Sequence, residues 1–293
     1  MNKSETVAAS TALCAGLICA GRLIDRRHRR KSIATGGAVG AAAAYLAGTY
    51  LQNLPFFGAV ARPVVAAGDG DFALTFDDGP DPRHTLAIST ILVERGHRGT
   101  FFVLGRAARR YPELIRQLAV DGHEIASHGD DHRLLAFASP RLIVAQLVAW
   151  EEAVEAALGR PGALLLRTPH GVRSPWLVSV ARRRGYTVCG WDGSVFDTAE
   201  PGAATIASRI VALLRPGAVV LLHDGDGSGR DGSRAQTVAA LGAVLDAADR
   251  RGLRSVTLGS LLDRPAPTAL RPNVVRWSPP CDGLTSGLAI AGV

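Results

Sequence analysis

Short apolar runs alternate with longer mixed stretches from about residue 63 to residue 264. There are seven short apolar runs. Most of them are continuously apolar and do not alternate between apolar and polar residues, which is typical of parallel strands covered on both faces. The predicted strands are Phe72–Phe76, Thr100–Val103, His123–Ser127, Ala163–Arg167, Tyr186–Trp191, Ala218–His223 and Arg254–Leu258.

Six helices are predicted between these strands, where apolar residues recur three and four positions apart. Each is followed by a glycine, the residue that helix C-termini favour. The predicted helices are Thr85–Arg95, Arg106–Asp121, Pro140–Leu158, Trp176–Arg184, Ala203–Leu214 and Arg234–Arg251. Alternation of this kind indicates an α/β fold, either a barrel or a doubly wound sheet.

Two apolar stretches near the N-terminus flank a basic segment. Val7–Gly21 is slightly short for a membrane span, whereas Ser32–Ala61 has no charged residue and is long enough to cross a hydrocarbon core of about 30 Å. Residues 1–61 are therefore predicted to form a membrane anchor of one or two helices. A helical hairpin buried in a soluble protein is the alternative.

The basic segment Arg22–Lys31 sets the expected orientation, because positively charged loops remain in the cytoplasm. If both apolar stretches insert, or only the second does, the domain that follows lies outside the cytoplasm. If only the first inserts, the domain stays inside. An extracytoplasmic domain is the prediction, and cleavage after Ala59-Val60-Ala61 would release it.

Composition narrows the class of protein. Of the formal charge of +7 on 293 residues, +5 falls within residues 1–61, so no basic surface is expected on the remaining domain and nucleic-acid binding is excluded. The four cysteines form no Cys-x-x-Cys pair, which argues against a zinc knuckle or a disulfide framework. Residues 62–264 are predicted to form the domain, and the proline-rich residues 265–293 a poorly ordered tail.

Polar residues of interest follow the predicted strand ends, where α/β barrels build their sites. Asp77 and Asp78 follow the first strand, and Gly79-Pro80 then turns the chain. One carboxylate could hold a metal while the other acts as a base. The alternative is an ordinary Asp-Gly turn.

Two histidines follow the third strand. His128 and His132 are four residues apart, which on a helical turn places both on one face at a spacing that a metal can bridge. Two imidazoles and a carboxylate suit zinc, and also cobalt or iron. Chance pairing on a surface is the alternative. His123 is interpreted as structural.

Three further groups follow later strands. Arg167 precedes a Pro/Gly loop that contains His170, Trp191 and Asp197 lie after the fifth strand, and His223 ends a very apolar strand. Each group also has an interpretation without a catalytic role. Arg167 could be a surface arginine beside a turn, the segment with Trp191 and Asp197 a half-buried loop, and His223 a hydrogen-bonded core histidine. Taken singly, none of these groups decides the function.

Their joint order resembles the polysaccharide deacetylases, carbohydrate esterase family four. The most specific segments are Thr75-Phe-Asp-Asp-Gly-Pro80 and Gly122-His-Glu-Ile-Ala-Ser-His128, and the resemblance covers about residues 70–260. It implies a distorted (β/α)7 barrel and hydrolysis of N-acetyl groups from amino sugars of a chitin-like or peptidoglycan-like polymer. It also implies a divalent cation, zinc being expected, with cobalt, iron or nickel as alternatives.

The resemblance also assigns roles to the residues around the cation. Asp77 is expected to be the general base, and Arg167 to orient it. Asp78, His128 and His132 are expected to be the metal ligands.

The remaining roles concern the substrate and the leaving group. His223 is expected to be the general acid and Asp197 its partner. The backbone N–H of His170 is expected to help hold the oxyanion, Leu221 to line the acetyl-methyl pocket, and Trp191 to belong to the substrate site.

Two positions depart from the family pattern. Gly129 stands where the family has Ser or Thr, and Thr198 where it has Trp. The first change is expected to loosen the support of the metal ligands, and the second to remove one wall of the sugar groove. The expected partners are an N-acetylated glycan and, through the N-terminus, a membrane. An O-acetyl esterase and a non-catalytic glycan-binding membrane protein are the alternative functions.

Overall fold

The longest strand, a run of seven buried residues, lies in the middle of a parallel sheet. The computed structural model describes residues 70–227 and 232–263, together with Gly40. The strands are β1 Asp71–Asp77, β2 Gly99–Val103, β3 Glu124–Ser127, β4 Leu165–Leu166, β5 Thr187–Val188, β6 Gly193–Ser194, β7 Val219–His223 and β8 Arg254–Ser255. The helices are α1 Thr85–Glu94, α2 Gly105–Arg110, α3 Pro112–Val120, α4 Pro140–Leu158, α5 Pro175–Arg183, α6 Ala203–Leu213, α7 Ala235–Arg250 and α8 Leu258–Leu262.

The strand order distinguishes a barrel from a doubly wound sheet. The order is β5-β4-β3-β2-β1-β7-β6, all pairs are parallel, and β8 pairs with the start of β1. In a flat sheet of seven strands the two edges would be about 29 Å apart. Only residues 189–192 join β5 to β6, a link that reaches at most about 19 Å. The sheet must therefore curl, and the predicted barrel is confirmed as an incompletely closed one.

Apolar side chains of the strands and of the surrounding helices form the main core. The rings of Phe76 on β1 and Phe101 on β2 stack at 4.9 Å. Trp150 of α4 is fully buried, and its Nε1 donates to the carbonyl oxygen of Val103 at 2.9 Å. This bond fixes α4 against the carboxyl end of β2, next to the loop that follows β3.

Several predicted elements differ from the structure, and the strand Ala163–Arg167 is confined to Leu165–Leu166. The helix Arg106–Asp121 is two helices, broken at Tyr111, because proline at the next position disfavours helical backbone before it. The strand Tyr186–Trp191 shrinks to Thr187–Val188, and Gly193–Ser194 adds a strand whose two small residues carry no sequence signal. The strand Arg254–Leu258 stops at Ser255, because Thr257 caps α8 by accepting from the Ser260 N–H at 3.3 Å.

The predicted terminal segments are not tested by the described structure. No helix within residues 70–227 and 232–263 is long and apolar enough to cross a membrane. The anchor predicted for residues 1–61 and the tail predicted for residues 265–293 lie outside the described residues.

Candidate active site

The predicted site residues meet at the carboxyl edge of the sheet. Asp77 ends β1, His223 ends β7, and the two are register partners on neighbouring strands. His128 directly follows β3, and Arg167 directly follows β4. Parallel pairing brings all four positions to one rim of the barrel, as α/β folds require of a shared site.

Asp78, His128 and His132 form a tight cluster. Their nearest ligand atoms all lie within 4.8 Å of one another. The Oδ1 of Asp78 is 3.1 Å from Nε2 of His132 and 3.4 Å from Nε2 of His128. Asp78 has a left-handed backbone with φ 77°, directly after the end of β1.

The donor set of this cluster fits a divalent cation. Oδ1 of Asp78 is buried without a hydrogen-bond partner, although it lies between two imidazole nitrogens. Nδ1 of His128 is 2.8 Å from the carbonyl oxygen of Arg167, which only accepts, so Nδ1 carries the proton and Nε2 keeps its lone pair in the neutral ring. A catalytic zinc site needs at least one coordination position that no protein atom fills. Two imidazole nitrogens and one carboxylate leave such a position open.

Charge within the cluster favours cation binding. Burial opposes ionisation of Asp78, but the close approach of the His128 and His132 rings holds the pKa of that carboxyl well below its usual range. Burial lowers the pKa of His132 to about 4, so its ring is neutral. Burial also opposes a charge on His128, but Asp77 and Asp78 raise the pKa of its ring, so protons and a cation compete for it.

The two histidines do not lie on a helical turn, so that part of the prediction is wrong. Residues 128–132 form a loop in which Gly129 has φ 77° and His132 has φ 62°. The N–H groups of Asp130 and Asp131 lie 3.1 and 3.3 Å from Oε1 of Gln146 on α4, which supports the loop. The departure at Gly129 is explained by backbone conformation, since positive φ favours glycine over Ser or Thr.

Arg167 is a buried residue rather than a surface arginine. Its Nη1 donates to Oδ1 of Asp77 at 2.9 Å and to Oγ1 of Thr75 at 2.7 Å, and its Nη2 donates to the carbonyl oxygen of Gly190 at 3.0 Å. Its guanidinium lies 4.2 Å from the ring of Phe102 and 5.5 Å from that of Trp191. The arginine therefore holds one oxygen of Asp77 and leaves the other facing the cluster.

His223 is paired with Asp197. Nδ1 of the His223 ring lies 2.8 Å from Oδ1 of Asp197. The other oxygen of Asp197, Oδ2, accepts from the backbone N–H of His223 at 2.9 Å and from Oγ1 of Thr237 at 3.0 Å. Burial disfavours a charged ring, but the bond to Asp197 and its charge outweigh burial and raise the pKa of His223 to about 9. Nδ1 carries the proton of this pair, so Nε2 is the ring atom left for chemistry.

Two predicted substrate residues flank the cluster. His170 has a left-handed backbone with φ 59°, and its Nε2 donates to the carbonyl oxygen of His132 at 3.1 Å. The rings of His170 and His132 are 4.3 Å apart. Leu221 is two residues before His223 on β7, so the two side chains share one face of the strand.

His123 is structural, as the sequence analysis expected. Its Nδ1 accepts from the N–H of Gly99 at 3.0 Å, so Nε2 carries the proton that it shares with Oγ of Ser89 at 2.9 Å. Burial lowers the pKa of His123 to about 4. A neutral ring that donates to the hydroxyl cannot act as a base toward it, so Ser89 and His123 do not form a nucleophile–base pair.

Asp224 was missed by sequence reasoning, because attention fell on the histidine before it. Its carboxylate is fully buried and accepts from Oγ1 of Thr85 at 2.6 Å. Burial raises the pKa of Asp224 to about 7. The carboxylate packs against the loop after β1 so closely that a Cβ on Gly79 would lie 2.0 Å from its Oδ2. Gln146 and Thr237 were missed as well, since they act through other residues and belong to no motif.

A family model described as polysaccharide deacetylase matches residues 65–189 of the chain. A chitooligosaccharide deacetylase from Bradyrhizobium sp. is 33% identical over 207 residues, which are 69% of this chain and 94% of that protein. A peptidoglycan-N-acetylglucosamine deacetylase from Bacillus cereus is 34% identical over 192 residues, 65% of this chain and 87% of that protein.

Solved structures agree with these relatives. The Bc1960 peptidoglycan N-acetylglucosamine deacetylase superposes with a TM-score of 0.62 at 27% identity, over 69% of this chain and 92% of that chain. A family 4 carbohydrate esterase from Streptomyces lividans superposes with a TM-score of 0.58 at 27% identity, over 64% of this chain and 91% of that chain.

Proposed function

The chain belongs to the polysaccharide deacetylase family, hydrolases of N-acetyl amide bonds, and from that premise we propose that it deacetylates amino sugars of a cell-surface or extracellular polysaccharide by metal-dependent hydrolysis. One observation carries the proposal. The cluster of Asp78, His128 and His132 shares one rim of the barrel with an arginine-held carboxylate, Asp77, and a carboxylate-held imidazole, His223. A base and an acid at the same rim as a cation site are the groups that amide hydrolysis needs.

Asp78, His128 and His132 would hold the cation. Their nitrogen and oxygen donors suit zinc, and also cobalt, iron or nickel. A cation bound there supplies Lewis-acid polarisation of the acetamide carbonyl and a more acidic water.

We assign Asp77 as the general base, and its hydrogen bonding supports one oxygen for this role. Oδ1 is occupied by the hydrogen bond from Arg167, whereas Oδ2 lies 3.9 Å from Nε2 of His128 and so faces the ligand cluster. Oδ2 therefore takes the proton of the attacking water. Arg167 keeps the carboxylate in this orientation throughout the reaction.

His223 is the general acid. Because Asp197 holds Nδ1, the protonated ring presents the N–H of Nε2 to the leaving amine. The backbone N–H of His170 donates to the oxyanion, and Leu221 contacts the acetyl methyl group. Trp191 contributes to the substrate site from its position beside Arg167.

We further propose that residues 1–61 anchor the enzyme in a membrane and place residues 62–264 outside the cytoplasm. The support is the uncharged stretch Ser32–Ala61 after the basic segment Arg22–Lys31. An extracytoplasmic domain would meet cell-wall polymers directly.

Acetate release tests the proposed function. The full chain is incubated with chitooligosaccharides, peptidoglycan glycan strands and acetylated xylan, with and without a chelator, and zinc, cobalt, iron or nickel is then added back. We expect acetate from an N-acetylated glycan, its loss on chelation and its recovery with one of the metals. Acetate from xylan alone would instead identify an esterase, and acetate from none of the three would indicate a binding protein.

A further inference from the structure

A cavity of about 540 Å³ lies next to the ligand cluster and includes Asp78 in its wall. Its size is in the range of small-molecule sites, larger than the acetyl group that the reaction removes. Its charged lining residues are three arginines, Arg83 from the loop after β1 and Arg106 and Arg110 from α2, and three carboxylates, Asp78, Asp81 and Asp226. Because the numbers of acidic and basic side chains are equal, what the cavity can bind depends on which arginines are already paired.

Within the part of the chain that the structure describes, two of these arginines have no acidic partner. Arg83 is paired with Asp81 at 2.8 Å, and Arg109, which does not line the cavity, is paired with Asp130 at 2.6 Å. No ion pair of the described residues includes Arg106 or Arg110. Being four residues apart, they lie on the same face of α2, an arrangement of like charges that destabilises a helix. A ligand with negative charge would relieve that repulsion.

Arg106 is fixed relative to the ligand cluster. Its Nη2 donates to the carbonyl oxygen of Gly227 at 2.5 Å. Gly227 in turn lies against the ligand cluster, since a Cβ on it would be 2.5 Å from Oδ1 of Asp78. Its backbone N–H donates to the carbonyl oxygen of Asp130, in the loop between the two histidine ligands, at 3.0 Å. Arg110 lies beside it with its guanidinium 5.2 Å from the ring of Tyr111.

We propose that this cavity, called here the arginine cavity, binds a carboxylate that the glycan carries close to the acetamide being cleaved. The proposal builds on the proposed deacetylase function and names its substrate class, an acidic glycan such as peptidoglycan with lactyl carboxylates rather than a neutral chitin oligomer. The planar forks of Arg106 and Arg110 match a carboxylate.

Three matched substrates test the arginine cavity in the full chain loaded with metal. They are peptide-free strands of N-acetylglucosamine and N-acetylmuramic acid, the same strands with their lactyl carboxylates converted to amides, and a chitooligosaccharide of equal length. We expect kcat/KM to be about tenfold higher for the carboxylate strands than for the amide strands, roughly the size expected of two partly exposed charged contacts. Raising the salt concentration should reduce this ratio.

Substitutions of single arginines test whether the preference for the carboxylate substrate comes from the arginine cavity. Arg106→Gln and Arg110→Gln should bring the ratio of carboxylate to amide substrate toward one, mainly through KM. Arg250→Gln removes the same charge from an exposed position in the last turn of α7, at the opposite end of the barrel, and should leave the ratio unchanged. A wild-type ratio of one, or a ratio that neither cavity variant changes, would overturn the proposal. Failure of the deacetylase function would instead show as no acetate from any of the three substrates.

Discussion

Asp77 and Asp78 are neighbours in the chain but have different partners. Asp77 contacts Arg167, whereas Asp78 contacts His128 and His132. Asp78 has a left-handed backbone, where Asp is among the few residue types enriched. The sequence could predict two carboxylates at the end of a strand, but not which of them pairs with the arginine and which approaches both histidines.

The first prediction separates the two carboxylates. Asp78→Asn should lose the cation, because a neutral amide is a much weaker ligand than a carboxylate. Asp77→Asn should retain the cation but lower kcat by about 10²- to 10⁴-fold, the range that general base catalysis contributes. Metal content by elemental analysis and acetate release measure the two properties separately. Full activity of Asp77→Asn would rule out Asp77 as the base.

The second prediction concerns pH. His223 must be protonated to act as an acid, so activity is lost as pH rises through its pKa, which Asp197 raises to about 9. Asp197→Asn removes the charge that opposes the effect of burial, so the pKa of His223 should fall. The alkaline limb of kcat/KM should therefore move to lower pH.

The matched control for the pH experiment is Thr237→Val. It removes one neutral hydrogen bond to Asp197 but keeps the carboxylate charge. Its alkaline limb should stay much closer to that of the wild type than the limb of Asp197→Asn. An unchanged limb in Asp197→Asn would mean that another group controls the alkaline side.

At the level of elements, the loops after β1 and β7 are packed against each other. The backbone N–H of Asp224 donates to the carbonyl oxygen of Asp77 at 3.1 Å. A Cβ on Gly225 would lie 2.4 Å from the carbonyl oxygen of Asp78. Glycine at positions 79 and 225 lets the two loops approach, and this contact holds the residue that begins the ligand cluster.

The third prediction tests this contact with two glycines. Gly79→Ala places a Cβ 2.0 Å from the buried Oδ2 of Asp224, which cannot move without losing its bond to Thr85. We expect a loss of stability of about 1–3 kcal/mol, typical of overpacking, together with weaker metal binding. Chemical denaturation and metal titration measure both effects.

Gly242→Ala is the control for that experiment. Gly242 lies within α7, and a Cβ there would have no atom within 4 Å. Alanine in a helix interior should stabilise the protein by about 0.5–1 kcal/mol and leave metal binding unchanged. If Gly79→Ala behaved in the same way, the close approach of the loops would have no part in the site.

Elements of different length were predicted with different success. The long helices and the apolar strands β1, β2 and β7 were predicted from the pattern of apolar residues, which can be recognised only over many residues. Strands of two residues, such as Gly193–Ser194, depend on the neighbour to which they are bonded. His128 and His132 have a helical spacing in the sequence, but the positive φ angles of Gly129 and His132 place them in a loop.

At the level of the whole molecule, the barrel gathers residues that are far apart in the chain. Asp77 and Arg167 are 90 residues apart but share a hydrogen bond at the rim. Sequence reasoning placed such residues in one site because parallel strands end at the same edge. It could not find Gln146 or Thr237, which lie inside helices and reach the site only through tertiary packing.

The last prediction concerns the anchor, which belongs to the whole molecule. Deleting residues 1–61 removes the uncharged stretch Ser32–Ala61 and +5 of the +7 charge, while the described core lies between Phe72 and Leu261. We expect the shortened chain to leave the membrane fraction without detergent and to keep its thermal midpoint and acetate release.

Replacing the arginines of Arg22–Lys31 by glutamine should retain membrane association but weaken the preference for one orientation of the anchor, since loop charge sets that orientation. Protease added to intact cells reports that orientation. A full-length chain found free of membranes, or a shortened chain still bound to them, would refute the anchor.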